Sequence, residues 1–328
     1  MSLDGAKNLE GLRGRDFIST TEFTRDELQI MLDGASAPSG RPLEGKSVGL
    51  LFFNPSLRTR ISFELSVTQL GGTPVVLSMG QDTWKLETRD GVVMDEDKAE
   101  HIQDAIRVLS RYVDALAVRV FPGMVDLESD LSDHVIRQIQ RFATVPVINM
   151  ESAIWHPCQA MADALTVQQH LGAIDGKKVV LSWAYHPKAL PTSVGNSFSA
   201  VMHQLGAEVH VARPEGYALP RVSDFSLHET ESLEDALEGA DVVYAKSWGS
   251  LEGYGHWDDE LELRERFRDW RIDSECMART RDALFMHCLP VRRNVVVTDE
   301  VIDSERSVVY DQAANRLHVQ KSILGALL

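Results

Sequence analysis

Short apolar runs recur along this chain, rich in Val, Ile and Leu and lacking polar alternation, and stretches with helical spacing separate them. Runs of that kind fit strands buried on both faces of a parallel sheet. They fall at Val48–Phe53, Thr73–Met79, Asp114–Val120, Val145–Met150, Lys178–Ala184, Glu208–Arg213, Asp241–Trp248, Ala283–Leu289 and Ser307–Tyr310. Between them, Phe63, Val67 and Leu70 share one helical face. A second helix starts near Lys98 and shows Ile102, Ala105, Ile106 and Leu109, with Tyr112 closing the face. A third runs through Ala160, Ala164 and Leu165 to Leu171 and stops at Gly172. The repetition predicts an α/β protein of two doubly wound parallel-sheet domains, with the active site in the cleft between them. The first domain is expected over 1–153 with the C-terminal helix 314–328 packed back on it, and the second over 154–313.

Composition excludes several classes. The chain has 33 Lys+Arg against 49 Asp+Glu, a formal charge of −16, which argues against a nucleic-acid or anionic-membrane surface. No apolar run approaches the ~18 residues of a membrane span. No signal-peptide core precedes the first domain, and Cys158, Cys276 and Cys288 are widely spaced, so a reduced, cytoplasmic setting is expected. No Gly-x-Gly-x-x-Gly follows a strand, and the Gly-x-x-x-x-Gly-Lys-Ser spacing of Gly40–Ser47 runs into a strand rather than opening a helix, so dinucleotide and P-loop sites are disfavoured. Without His-Glu-x-x-His or Cys-x-x-Cys, no metal is indicated, and no cofactor is expected.

The chemistry-bearing residues gather just past strand ends, where open α/β sheets bind ligands. Phe53-Asn54-Pro55-Ser56-Leu57-Arg58-Thr59-Arg60 joins an apolar strand to a helix start. Backbone N–H groups, the helix dipole, the Ser56 and Thr59 hydroxyls and the forked Arg58 cation would together cradle a phosphate. The plain alternative is an N-cap followed by two solvated arginines. Arg119 ends another run, Glu151 and His156 follow a third, and His186 follows a fourth. Lys246 ends a fifth, and His287-Cys288-Leu289-Pro290 ends a sixth with Arg292 beyond. Arg58, Arg119, Lys246, Arg292 and Arg316 suit phosphate and carboxylate groups. His156 and Gln159, one turn apart, suit a carbonyl or amide. The long polar loop Gly80–Asp97 carries Trp84, which would cover either its own site or that of a neighbouring subunit.

Together these motifs resemble the aspartate/ornithine carbamoyltransferase superfamily over essentially the whole chain. Ser56-Leu57-Arg58-Thr59-Arg60 resembles its carbamoyl-phosphate signature, and His156-Pro157-Cys158-Gln159 its second signature. His287-Cys288-Leu289-Pro290 is similar to the ornithine-type branch. The resemblance implies carbamoyl transfer from carbamoyl phosphate to an amine, in a homotrimer with sites at subunit interfaces. It assigns Arg58, Thr59, Arg119, His156, Gln159 and Cys288 to catalysis. Ser56, Leu57, Arg58, Thr59, Trp84, Arg119, His156, Gln159, Cys288, Leu289 and Arg316 would hold carbamoyl phosphate, with Trp84 lent across the interface. Glu151, His186, Lys246, Leu289 and Arg292 would hold an N-acylornithine, and Ala99 would set acyl specificity.

The acyl assignment rests on departures from the ornithine pattern. Tyr244-Ala245-Lys246-Ser247-Trp248 lacks the Asp that would bind a free α-ammonium, and Lys246 would repel that group. The resemblance is therefore to the N-acylornithine branch. The acetyl type has Glu where this chain has Ala99, and a carboxylated Lys where it has Val296. The succinyl type has Pro at the first of these positions. The tail Leu317-His318-Val319-Gln320-Lys321 looks acetyl-like. The expectation is N-succinyl-L-ornithine giving N-succinyl-L-citrulline in arginine biosynthesis, with N-acetyl-L-ornithine as the alternative. A non-catalytic α/β anion-binding protein is the remote rival; it would keep the cradle but would not require the His156, Gln159 and Cys288 set.

Overall fold

A computed structural model of the chain describes residues 11–36, 40–222, 225 and 227–328. The first ten residues of the expected first domain lie outside them. The chain divides into two compact units. One comprises residues up to Pro122, Ser132–Cys158 and Arg316–Leu328; the other comprises Gly123–Leu131 and Gln159–Asn315.

In the first unit, β1 (Ser47–Phe52) and β2 (Thr73–Ser78) are followed by a short pair, β3 (Leu86–Glu87) and β4 (Glu100–His101), and then by β5 (Ala115–Arg119) and β6 (Val147–Glu151). The main sheet has the order β2-β1-β5-β6, and every pairing is parallel. Its core includes Leu51, Leu116, Val118, Ile136, Ile139 and Val147, all fully buried. The strand order reverses between β1 and β5, which makes that junction the switch point where ligands of open α/β sheets bind. The C-terminal segment belongs to this unit. The Lys46 ammonium donates to the Leu328 carbonyl, and Ser322 Oγ donates to Met31 O at 2.6 Å.

The second unit carries β7 (Lys178–Trp183), β8 (Glu208–Ala212), β9 (His228–Thr230), β10 (Val242–Lys246) and β11 (Leu284–Met286). The order is β11-β10-β7-β8-β9, again all parallel, with the reversal between β7 and β10. Val180, Val243, Phe285 and Val297 lie in its core, together with Val296 at 2% exposure. Gly123–Leu131 is tied into this unit. Tyr254 Oη donates to Asp130 Oδ2 at 2.7 Å, and Trp257 Nε1 donates to Met124 O at 2.7 Å. A Cβ at Gly255 would meet Val125 O at 2.7 Å, so that close approach requires glycine.

Three local expectations are corrected. Ser307–Tyr310 is not a strand: Ser307 makes one bridge to Phe285, and the helix Val309–Leu327 begins two residues later. Val308 and Val309 are buried at the start of that helix, and a short apolar run cannot distinguish a buried helix start from a strand. The helix expected from Lys98 starts at Ile102, where His101 Nδ1 accepts from Gln103 N, and Tyr112 is 72% exposed rather than closing the face. The loop Gly80–Asp97 is not structureless, since β3 pairs with β4. Buried Glu87 organises this loop, binding Arg89 through two side-chain contacts and Lys98 Nζ at 3.2 Å.

Candidate active site

The phosphate-cradle segment lies at the β1/β5 switch point. Ser56 is in extended conformation and caps the helix Leu57–Gln69, its Oγ accepting from Thr59 N at 3.3 Å. Asn54 Oδ1 takes the Phe121 N–H at 2.7 Å and so joins the loops that leave β1 and β5. Thr59 is buried, and its Oγ1 accepts from Arg316 Nη2 at 2.6 Å, so the C-terminal helix delivers a cation to the cradle. Arg58 is half-buried, and its Nε is a buried donor without a hydrogen-bond partner. Arg60 is different: it is exposed and pairs with Glu64 Oε1 at 3.0 Å. Of the two motif arginines, only Arg60 is the solvated kind. A cavity of about 300 Å³ beside the cradle is lined by Ser56, Leu57, Arg60, Ser78 and Gln81.

Beside the cradle, a bulge sets the next group. Val118 faces Asn149 across the β5/β6 pair, but Arg119 faces Glu151, so one residue is skipped. The skip re-aims the Glu151 side chain. Glu151 Oε2 accepts a short bond from Arg119 Nη1 and lies 3.3 Å from His156 Nε2. Arg119 is 7% exposed, its guanidinium stacks 4.3 Å over the Phe121 ring, and its Nε is a buried donor without a partner. The structure therefore brings Arg119, Glu151 and His156 together. Glu151, expected among the acylornithine ligands, braces the other two. The loop before His156 is fixed by Asp133, which accepts from Ser152 Oγ at 2.7 Å and from Ala153 N at 3.0 Å. Burial raises the Asp133 carboxyl to about 6 against those bonds and the Arg137 charge.

The second unit collects the remaining residues at its own switch point. Lys246 ends β10 in register with Trp183 of β7, and His186 lies three residues past that strand. His186 Nε2 accepts from Arg292 Nε at 3.0 Å, which leaves Nδ1–H to donate to Lys188 O at 2.8 Å. Burial, then the charges of Arg292, Lys246 and Arg264, lower the His186 pKa, in keeping with an unprotonated Nε2 that accepts from Arg292 and so with a neutral ring. Neither Lys246 nor Arg292 has a paired carboxylate among the described residues. Leu289 sits at φ +51, in the left-handed region that branched side chains avoid, and its N–H donates to His287 Nδ1 at 2.9 Å. Tyr244 is fully buried, and its phenol is held well above the ordinary range by burial and by the neighbouring Asp163 and Cys288. Gln159 lies in the first turn of the helix Pro157–Leu171 and is 1% exposed.

Trp84 is 58% exposed and donates from Nε1 to Glu100 Oε2 at 2.8 Å. Ala99 is exposed immediately before β4. Sequence reasoning missed Asp163, which accepts from Gln159 Nε2 at 2.8 Å and from Gln312 Nε2 at 2.7 Å. The signal was present, because Gln159 and Asp163 are four residues apart on one helix.

Comparison with known proteins agrees with this geometry. The model for the aspartate/ornithine carbamoyltransferase carbamoyl-P binding domain matches residues 15–169, and that for the Asp/Orn binding domain matches residues 187–327. An N-acetylornithine carbamoyltransferase from Xanthomonas campestris is 45% identical over 96% of this chain and 98% of its own length. An N-succinylornithine carbamoyltransferase from Bacteroides thetaiotaomicron is 40% identical over 83% of this chain and 84% of its own. Among solved structures, an N-acetyl-L-ornithine transcarbamylase with one glutamate replaced by alanine, complexed with carbamyl phosphate and N-succinyl-L-norvaline, superposes with a TM-score of 0.92. It is 45% identical over 96% of this chain and all of that one. Two matched domain models and relatives aligned over nearly the whole length place this chain in the aspartate/ornithine carbamoyltransferase family.

Proposed function

We propose that the chain transfers the carbamoyl group of carbamoyl phosphate to the δ-amine of an N-acyl-L-ornithine, giving an N-acyl-L-citrulline and phosphate, as a step of arginine biosynthesis. The observation that carries the reading is the second switch point. Lys246 and Arg292 flank a neutral imidazole, and among the described residues no carboxylate is paired to either. That arrangement suits a substrate carboxylate beside an uncharged acylated nitrogen, and it repels a free α-ammonium. In the first unit, Ser56, Leu57, Arg58, Thr59, Arg119 and Arg316 hold the phosphate, and His156 with Arg119 stabilises the tetrahedral oxyanion. Cys288 and the Leu289 carbonyl face the carbamoyl group, and His186, Lys246 and Arg292 hold the acylated amino acid. The δ-amine, with a pKa near ~10.4 in water, loses a proton before attack. The first proton goes to solvent; the C–N bond then forms, the bond from carbon to the phosphate oxygen breaks, and the departing phosphate takes the second proton, released by the attacking nitrogen.

The acyl group is a finer question. Relatives named for N-acetylornithine match more of this chain, at higher identity, than those named for N-succinylornithine, and this favours N-acetylornithine over the succinyl substrate expected from the sequence. A second reading, N-succinylornithine, draws on Ala99. The resemblance puts a glutamate of the acetyl type there, and an acetyl-type enzyme with a glutamate replaced by alanine holds an N-succinyl ligand. Buried Val296 removes the lysine of the acetyl type as well. We infer a homotrimer in which Trp84 serves a neighbour's site. Exposed Trp84 supports this, as does the stripe of Leu57, Ile61 and Leu65, which are 71%, 53% and 44% exposed at helical spacing. Three free thiols suit the cytoplasm.

The test is citrulline-type product from carbamoyl phosphate with ornithine, N-acetylornithine and N-succinylornithine side by side. Product from an acylated substrate and none from ornithine is expected, and absence of product from all three removes the assignment. For the shared site, inactive Trp84→Ala and inactive His156→Ala proteins should regain activity after subunit exchange.

A further inference from the structure

One buried carboxylate decides which atom of Gln159 meets the substrate. At the β11 end, the His287 backbone N–H can only donate. It donates to Gln312 Oε1 at 3.0 Å, which fixes that amide with its nitrogen on the other side. Gln312 Nε2 then donates to Asp163 Oδ1 at 2.7 Å, so Oδ1 is an acceptor. The Gln159 group 2.8 Å from the same Oδ1 must therefore be its nitrogen. Gln159 Oε1 is left turned away, buried and without a hydrogen-bond partner. Asp163 and Gln312 are both fully buried, so water does not reorganise this relay.

We propose that Asp163 is a positioning residue that locks the Gln159 amide with its carbonyl oxygen outward, so that the site reads the carbamoyl group by its N–H donors. The proposal rests on the carbamoyl-transfer reading and changes one part of it. Gln159, expected to polarise the carbonyl, instead accepts from the –NH₂ of carbamoyl phosphate. Asp163 touches no reacting atom; it acts through Gln159. The same carboxylate ties Gln159 to the His287–Leu289 strand end through Gln312, so one anchor aligns both walls that face the carbamoyl nitrogen. A buried acceptor left unmatched rejects an analogue that lacks the donor far more strongly than a missing methylene would. Acetyl phosphate is that analogue, with a methyl where carbamoyl phosphate has –NH₂.

The test measures binding of carbamoyl phosphate, acetyl phosphate and inorganic phosphate by calorimetry on the full chain. The parent should prefer carbamoyl over acetyl phosphate by tenfold or more, about the value of one well-made hydrogen bond to a buried group. Asp163→Asn offers Gln159 a donor as well as an acceptor, which frees its amide to turn. It should cut that preference by about tenfold while inorganic phosphate binding stays within about twofold. Combining Asp163→Asn with Gln159→Glu exchanges donor and acceptor, keeps one charge in the pair and returns an outward oxygen, so the preference should recover. A role confined to stability would weaken all three anions together and would not be rescued. Equal binding of the two acyl phosphates by the parent overturns the proposal. So does an unchanged preference in Asp163→Asn, or a double variant no better than the single one. If Asp163→Asn does not fold, the parent comparison and the double variant carry the test. Selective carbamoyl phosphate binding with no product from any ornithine would sink the transferase reading and leave this inference standing.

Discussion

The two switch points treat charge in opposite ways. At the first, cations are braced: Arg119 is clamped by Glu151, Arg316 donates to Thr59, and Glu151 also reaches His156. At the second, Lys246 and Arg292 face a neutral His186. Bracing fixes direction, as needed for donors that must meet a phosphate and a developing oxyanion without reorganising. Unbraced cations leave a local positive field, which an acylated amino acid can match with its carboxylate. The same parallel-sheet architecture thus yields a rigid anion cradle in one unit and an uncompensated cationic pocket in the other.

The largest expected effect lies in the cradle. Arg58→Ala removes a half-buried cation whose Nε has no protein partner, and turnover should fall by about 100-fold or more. Activity within about twofold of the parent would break the cradle half of the comparison. Next is the second switch point. Lys246→Met should raise KM for the acylornithine by roughly 10- to 100-fold, the value of one or two charge-assisted bonds, with carbamoyl phosphate affinity kept. A loss of carbamoyl phosphate binding instead would show that the pockets are not divided in this way.

Much of this is legible in the amino-acid sequence itself. The unalternating runs at Val48–Phe53 and Lys178–Ala184 gave the buried strands of two sheets, and the polar residues after them proved to lie at the strand-order reversals. What was not legible depended on partners distant in sequence. Asp163 gains its meaning only when Gln312 arrives 149 residues later in the chain. Glu151 braces Arg119 because a single-residue bulge turns it, and no local pattern encodes a bulge. Gly123–Leu131 joins the second unit through Tyr254 and Trp257, although it interrupts the first unit's sequence. Ser307–Tyr310 failed because a short apolar run has no period long enough to separate strand from helix.

A smaller effect sharpens the acyl question. Ala99→Glu places a carboxylate on an exposed position beside β4. If a succinyl tail ends near it, two like charges ~4 Å apart repel by about 4 kcal/mol at an effective dielectric of ~20, before solvent and salt reduce this. The N-succinyl to N-acetyl ratio of kcat/KM should fall by about tenfold, whichever substrate the parent prefers. An unchanged ratio would remove Ala99 from the specificity wall.

The smallest effect concerns how the braced region is held. Asp133 supports the Ser152–Ala153 turn that leads to His156, and it does so as a carboxyl raised to about 6 by burial. In the unfolded chain its pKa is near ~3.9. Between those values the folded state keeps a proton that the unfolded state has lost, so stability falls as pH rises through that window and is level above it. The full difference corresponds to about 3 kcal/mol. Asp133→Asn is neutral at every pH, keeps an acceptor for one of the two bonds, and suits the left-handed backbone at φ 54. Its Tm relative to the parent should therefore rise between pH 4 and pH 6.5, by roughly 5 °C, and stay constant to pH 8. A Tm difference independent of pH would mean that Asp133 is ionised throughout, with Arg137 offsetting its burial, and the turn before His156 would then be held by charge, as Arg119 is, across the whole range and not only above about pH 6.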